Sequence, residues 1–423
     1  MDALIPGDVN SDRGGPAQPL LLAKNLRKHF PIMGGLLGRT TKVVRAVDDL
    51  SLSVAKGETL GVVGESGCGK STVARLLIRL IQPDAGTMVL DGDPVDEPHG
   101  ISVNELRRQV QMVFQDSYAS LNPRLTIVET LSFAPRAHGL PAAEAKARSR
   151  DLLAKVGLDP DTFADRYPHE LSGGQRQRVN IARALALRPR LVILDEAVSA
   201  LDKSVEAQVL NMLVDLKQEL GLTYVFISHD LNVVQYLSDR VLVMYLGKIV
   251  EIGPVEAIYG NPQHPYTRAL LSARPSMDPR RRTREAPIQG DPPNPIDPPS
   301  GCRFRTRCPF AEDICGKIEP ALADTGNAVC ARCHAEIAKK YARTGMARTS
   351  GRTSEPGFAQ QFGDPRVSAA FRMQTGGAAR QLEWFLGSGH IGRSYLFRKG
   401  AQLFQAQVFH TSRLAVCRTA RFN

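Results

Sequence analysis

No apolar run in this chain of 423 residues approaches the ~20 residues that a membrane-spanning helix needs. VLVMYL at 241–246 is typical of the short runs present, so no bilayer crossing is expected. The opening MDALIPGDVNSDRGG has no basic start and no apolar core, which predicts a chain without a secretory leader, at work in the cytoplasm. Cysteine is scarce, seven residues in all, and the chain is far too long for a small disulfide-held scaffold. In a cytoplasmic protein those cysteines point to metal or free thiols before disulfides. No fixed-period repeat is found. Hydrophobic residues at 43% and charged residues at 23% match ordinary globular usage and exclude a wholly disordered chain. A basic excess is also missing from most of the chain. The net charge of +11 is concentrated in residues 341–423, which hold 12 Lys and Arg against 3 Asp and Glu, leaving 42 against 40 in the first 340. The high isoelectric point therefore describes a tail and does not make the body a nucleic-acid binder.

What is present divides by composition. Residues 1–18 are rich in Gly, Pro and Asp and read as a flexible leader. From 19 to 260 short apolar strands alternate with longer helical patterns, which predicts an α/β domain. Proline then crowds 274–300, where a linker or an extended arm is expected, followed by a cysteine-bearing segment to about 340 and the basic tail. Three predicted strands end on reactive residues: Thr59–Val63 before Gly64, Leu191–Leu194 before Asp195 and Glu196, and Tyr224–Ile227 before Ser228, His229 and Asp230. Open parallel sheets bind ligands at such carboxyl ends.

Gly64, Glu65, Ser66, Gly67, Cys68, Gly69, Lys70, Ser71 and Thr72 spell G-x-x-x-x-G-K-[ST], a phosphate-binding loop. Its glycines permit positive φ and let backbone N–H groups turn onto an anion. Lys70 adds a point charge for β and γ phosphates, and Ser71 a hydroxyl for Mg²⁺. Val73, Leu76, Leu77, Leu80 and Ile81 recur at helical spacing, so a helix running to Ile81 would present its N-terminus to the phosphates. Asp195 would hold Mg²⁺, and Glu196 would orient or deprotonate an attacking water. Cys68 lends the loop only its backbone, and its thiol is expected to be open to thiol reagents.

Leu171, Ser172, Gly173, Gly174 and Gln175, followed by Arg176, Gln177 and Arg178, stand about a hundred residues after the phosphate loop. Ser172 and the glycines open a predicted helix through Val179, Ile181, Ala182 and Leu185. With that order of motifs the chain resembles the ATP-binding cassette (ABC) ATPases. The resemblance implies a P-loop α/β cassette with a parallel-sheet core and a helical subdomain, ATP and Mg²⁺ as cofactors, and hydrolysis of ATP. It assigns Gln115 to Mg²⁺ and to communication with a transmembrane partner, Ser199–Asp202 to a loop facing the second cassette, and His229 to the γ phosphate. Phe30 would stack on adenine, a place in the core being the alternative. Two cassettes would sandwich two nucleotides, each between one phosphate loop and the other subunit's LSGGQ turn.

LDEAVSALDKSVEAQVLNMLVDL and HPYTRALLSA narrow the likeness to the ATPase subunits of oligopeptide and dipeptide importers, over about residues 19–340. Ala197 departs from the proline usual there, which predicts a change in loop stiffness without loss of chemistry. The likeness implies a second cassette subunit, identical or not, two permease subunits, an extracytoplasmic solute-binding protein, and a peripheral position on the cytoplasmic face of the membrane. Within it, residues 261–340 are the importer-type C-terminal region. Cys302, Cys308, Cys315 and Cys333 would there hold a [4Fe–4S] cluster, with zinc or free buried thiols as alternatives. The tail 341–423 departs from the family. It shows some strand-like alternation and faintly resembles a fragment of multihaem cytochrome-related proteins without any C-x-x-C-H, so a fusion fragment, a shifted frame or basic disorder is expected. A soluble ABC ATPase acting on nucleic acid or ribosomes is the competing function, and an exporter cassette a third. One cassette, a near-neutral body and the HPYTRALL segment favour import.

Overall fold

The computed structural model describes residues 18–34, 39–274 and 290–320, together with the backbone of five strands between 351 and 421. The chain divides into two compact units at Val329 and Cys330. In the first, β1 (Leu21–Gly34), β2 (Arg39–Val54) and β3 (Thr59–Val63) lead into α1 (Lys70–Leu77). β4 (Ala85–Leu90), β5 (Asp93–Pro94), α2 (Val103–Gln109) and β6 (Val110–Val113) follow. A helical stretch comprises α3 (Ile127–Ala137), α4 (Ala142–Lys155), α5 (Pro160–Phe163) and α6 (Gly173–Leu185). Alternation then returns with β7 (Leu191–Asp195), α7 (Lys203–Leu220), β8 (Thr223–Ile227), α8 (Leu231–Leu237), β9 (Arg240–Tyr245) and β10 (Lys248–Pro254). Two short helices, α9 (Val255–Gly260) and α10 (Pro265–Ser272), come after it.

The main sheet has the order β10-β9-β3-β8-β7-β6. Its strands run parallel except β10, which returns antiparallel on β9. β3, β7 and β8 are buried along their whole length, which is why they read as unbroken apolar runs rather than alternating ones. β8 lies between β3 and β7, so the carboxyl ends of all three predicted strands open side by side.

A second, antiparallel sheet of order β2-β1-β4-β5 precedes and follows α1 in the chain, and the sequence did not announce it. Irregularities in the β1–β2 pairing, such as that between Ala23 and Leu26, break the period of two on which recognition of such strands depends. Leu21, Val47 and Leu50 of this sheet share one hydrophobic core with Leu60, Val62, Ile193 and Val225 of the main sheet and with Val73, Leu76 and Leu77 of α1. The nucleotide-loop helix is thus pinned between two sheets.

α1 is shorter than its periodicity suggests. It stops at Leu77 because Arg79 adopts a φ of 55°, with the N–H of Arg79 donating to the Leu76 carbonyl at 2.9 Å and that of Leu80 to the Arg75 carbonyl at 2.8 Å. This is the left-handed closure that normally uses glycine. Leu80 consequently lies at the surface and Ile81 packs only at the margin of the core.

Residues 290–320 fold back on the rest of the first unit, the N–H of Arg45 donating to the Pro295 carbonyl at 3.1 Å. No helix among the described residues is long and apolar enough to cross a membrane. The second unit holds an antiparallel sheet of β11 (Gly351–Arg352), β12 (Leu382–Ser388), β13 (Gly392–Lys399), β14 (Gln402–His410) and β15 (Ala415–Arg421) in chain order. The strand-like alternation of the tail falls on β12 to β14.

Candidate functional site

The loop after β3 is shaped by glycine. Gly64, Gly67 and Gly69 have φ of 154°, 78° and 110°, and a Cβ at Gly69 would sit 2.2 Å from the Ala46 carbonyl oxygen on β2. Only a residue without a side chain lets the loop pass so close to the antiparallel sheet. Lys70 is buried, and its ammonium donates to the carbonyls of Gly64 at 2.8 Å and Glu65 at 3.0 Å, spanning the loop. No side chain caps the start of α1, so its first N–H groups are left for an anion. Cys68 corrects an expectation. Its thiol is buried, and burial pushes it up against the opposing charge of Lys70, so a reactive thiolate is disfavoured.

Asp195 closes β7, buried, and accepts from Ser71 Oγ at 3.1 Å. Burial raises its carboxyl above the usual range, and the Ser71 hydrogen bond only partly offsets this. A carboxylate and a hydroxyl so joined are the hard oxygen donors that suit Mg²⁺, which would also relieve the desolvation of Asp195.

The next residue, Glu196, has φ of 49°, a strained conformation for a side chain other than glycine. It is held there by its N–H donating to the Ile227 carbonyl at 2.9 Å and by its carbonyl accepting from Ser199 Oγ at 2.9 Å. The kink turns its carboxylate toward two partners. Gln115 Nε2 donates to Glu196 Oε2 at 2.8 Å, and His229 Nδ1 lies 3.5 Å from that same oxygen. Gln115 leaves β6 and His229 leaves β8, so three strand ends converge on one carboxylate.

The other predicted residues are not brought to this cluster. Ser172 caps α6: its Oγ accepts from the Gln175 N–H at 3.3 Å, and Gln175 Oε1 accepts from the Ser172 N–H at 2.9 Å. These bonds stay within one turn, and Ser172 and Gly173 face outward. Further along α6, Asn180 donates to the Ser117 carbonyl at 2.9 Å and Arg183 bonds the Ser120 carbonyl, tying this helix to the segment that carries Gln115. Asp202 stands exposed at the start of α7. Phe30 is 38% exposed on β1, which removes the core alternative, with Lys28 Nζ 5.7 Å from its ring centroid. Cys302 and Cys315 are buried and Cys308 half-buried, while Cys333 lies outside the described residues. Among the described residues no group of three or more His, Cys, Asp or Glu is placed to hold a metal ion, and the iron–sulfur expectation gains no support there.

Two functional contacts escaped the sequence reading altogether. Arg307 and Tyr266 both bind Glu65 of the phosphate loop. The HPY segment is a family mark in the sequence, and nothing local in it points to the loop two hundred residues away.

Comparison with known proteins identifies the family. Residues 47–199 match the ABC transporter family and residues 250–315 the oligopeptide/dipeptide transporter C-terminal region. The chain is 47% identical over 321 residues to the oligopeptide transport ATP-binding protein AppF of Bacillus subtilis, covering 75% of this chain and 97% of that one. It is 47% identical over 316 residues to the dipeptide transport ATP-binding protein DppF of Escherichia coli, covering 74% and 94%. A peptide ABC transporter ATP-binding protein of Sinorhizobium fredii, y4tS, is 51% identical over 319 residues, covering 74% and 89%. Among solved structures, cbiO1 of Clostridium perfringens aligns with a TM-score of 0.49 at 27% identity, over 57% of this chain and 91% of that one. The chain belongs to the ATP-binding subunits of ABC transporters and is an ATP-hydrolysing enzyme of that class.

Proposed function

We propose that this chain is the motor subunit of an importer for peptides or related solutes, and that the convergence of Gln115 and His229 on Glu196 beside the Ser71–Asp195 pair is its hydrolytic centre. Lys70 and N–H groups at the start of α1 bind the β and γ phosphates, while Phe30 supports the adenine. Ser71, Asp195 and Gln115 would hold Mg²⁺, which would supply neutralising charge for the phosphates. Glu196 orients the attacking water and accepts its proton, and His229 contacts the γ phosphate. Because Ser172, Gly173 and Asp202 face outward, they serve a nucleotide bound by a second cassette, so one chain is half of a working pair.

The same reading puts the chain on two permease subunits at the cytoplasmic face of the membrane, supplied by an extracytoplasmic solute-binding protein. ATP binding would close the cassette pair and hydrolysis reopen it. The near-neutral body disfavours work on nucleic acid.

Replacing Glu196 by Gln keeps its shape and removes the base, so nucleotide binding should persist while steady-state hydrolysis falls by ~10² or more. Hydrolysis at the parent rate in the assembled variant would refute the assignment.

A further inference from the structure

Glu65, the second residue of the phosphate loop, is gripped from the far end of the first unit. Arg307 Nη1 and Nη2 donate to its two carboxylate oxygens at 2.7 and 3.0 Å, a bidentate fork. Its backbone N–H donates to Tyr266 Oη at 2.9 Å, and its carbonyl accepts from Lys70 at 3.0 Å. Every polar group of Glu65 is therefore bound, two of the three by residues that follow β10.

The supporting structure is itself fixed. His264 caps α10, its Nδ1 accepting from the Tyr266 N–H at 3.1 Å, and the Gln263 and His264 N–H groups donate to Glu251 on β10 at 2.8 and 2.9 Å. Pro265 occupies the first helical position, where its missing N–H costs nothing. Tyr266 is fully buried, with its ring 4.6 Å from that of Tyr245 and 5.3 Å from that of Phe304. Arg307 lies against the same cluster, 3.4 Å from Tyr245 Oη. HPY is thus a local device: His264 and Pro265 set the helix start that delivers Tyr266 to the loop.

A carboxylate in a loop that receives a triphosphate repels its ligand, and the repulsion grows as the site dries. We infer that the segment after β10 is a brace for the phosphate loop, in which Tyr266 fixes the backbone of Glu65 and Arg307 cancels its charge and holds it aside. Arg307 is then a positioning residue for nucleotide binding. This rests on the loop being the ATP site.

The test is ATP hydrolysis against ATP concentration in the assembled transporter. Arg307→Met should raise the KM for ATP roughly tenfold, the scale of one hydrogen bond to a charged group, with kcat much less affected. Adding Glu65→Gln to that variant should recover most of the KM, because the unpaired charge is gone. Tyr266→Phe should raise KM more modestly, and no second change at the Glu65 side chain should rescue it. A merely structural contact would lower the melting temperature without a KM shift and without rescue. An unchanged KM in Arg307→Met, or a double variant as weak as the single one, overturns the brace. Where Arg307→Met fails to fold, Arg307→Lys keeps the charge and loses the fork, and a KM equal to the parent's then refutes it. Lys70→Ala is the control. If it weakens ATP binding while Arg307→Met does not, the brace alone is wrong; if it has no effect, the ATP-site reading is wrong as well.

Discussion

A single methyl group separates the two central glycines of the phosphate loop. An added Cβ at Gly67 meets nothing within 4 Å, so Gly67→Ala should cost only its left-handed backbone, about 1–2 kcal/mol. At Gly69 the same methyl lands 2.2 Å from the Ala46 carbonyl, and a backbone oxygen inside a sheet cannot move aside. Gly69→Ala should therefore destabilise well beyond Gly67→Ala in chemical denaturation, and equal losses would contradict the close approach. Cys68 offers a second test at this scale. With its thiol buried and pushed up, alkylation of the native protein should leave the peptide containing Cys68 unmodified, and labelling should appear only after unfolding.

The helix behind Ser172 depends on a reciprocal cap. Ser172→Ala leaves the Gln175 N–H without its acceptor and should cost ~1 kcal/mol, with Ser172→Thr much closer to the parent. Since the capped turn faces outward, hydrolysis by the assembled pair should fall further than stability does. Thermal melting compared with the rate per complex would show it, and a rate loss no larger than the stability loss would make the turn purely structural. α6 is also the element best placed to report on the site. Its bonds to the Ser117 and Ser120 carbonyls join the outward turn to the segment carrying Gln115, and so to Glu196.

For the molecule as a whole, the returning segment is fastened, among the described residues, by three ion pairs, Arg307 to Glu65, Arg303 to Asp48 and Lys248 to Glu319. Burial raises the Asp48 carboxyl, but the Arg303 charge and the His29 hydrogen bond outweigh it and leave the group below its ordinary 3.8. A depressed carboxylate contributes stability that is present at neutral pH and lost as pH falls through the lowered value. The difference in urea midpoint between parent and Asp48→Asn should thus be largest near neutrality and shrink below pH 3.8. A gap independent of pH would show the pair to be idle. The tail gives a separate expectation. Every residue assigned to the site lies before 320, so removing residues 341–423 should leave ATP hydrolysis intact, which a rate measurement on the shortened chain decides.

The phosphate loop, the Asp195–Glu196 pair and the capped turn at Ser172 are legible in the sequence, because each is a contiguous run whose chemistry depends on neighbours a few residues away, whereas Gln115 and His229 stand out only through the family resemblance. The buried parallel strands were legible for a similar reason: covered on both faces, β3, β7 and β8 show unbroken apolar text. The antiparallel sheet was not, since pairing irregularities in β1 and β2 erase alternation, and α1 ends earlier than its periodicity because an arginine takes the left-handed turn. That Gln115 and His229 meet on one oxygen of Glu196 follows from strand order, with β7 set between β8 and β6. The grip of Arg307 on Glu65 joins residues 242 positions apart. No local pattern records such a pair; it exists only because β10 turns the chain back and a ring cluster of Tyr245, Tyr266 and Phe304 holds the returning segment against the loop.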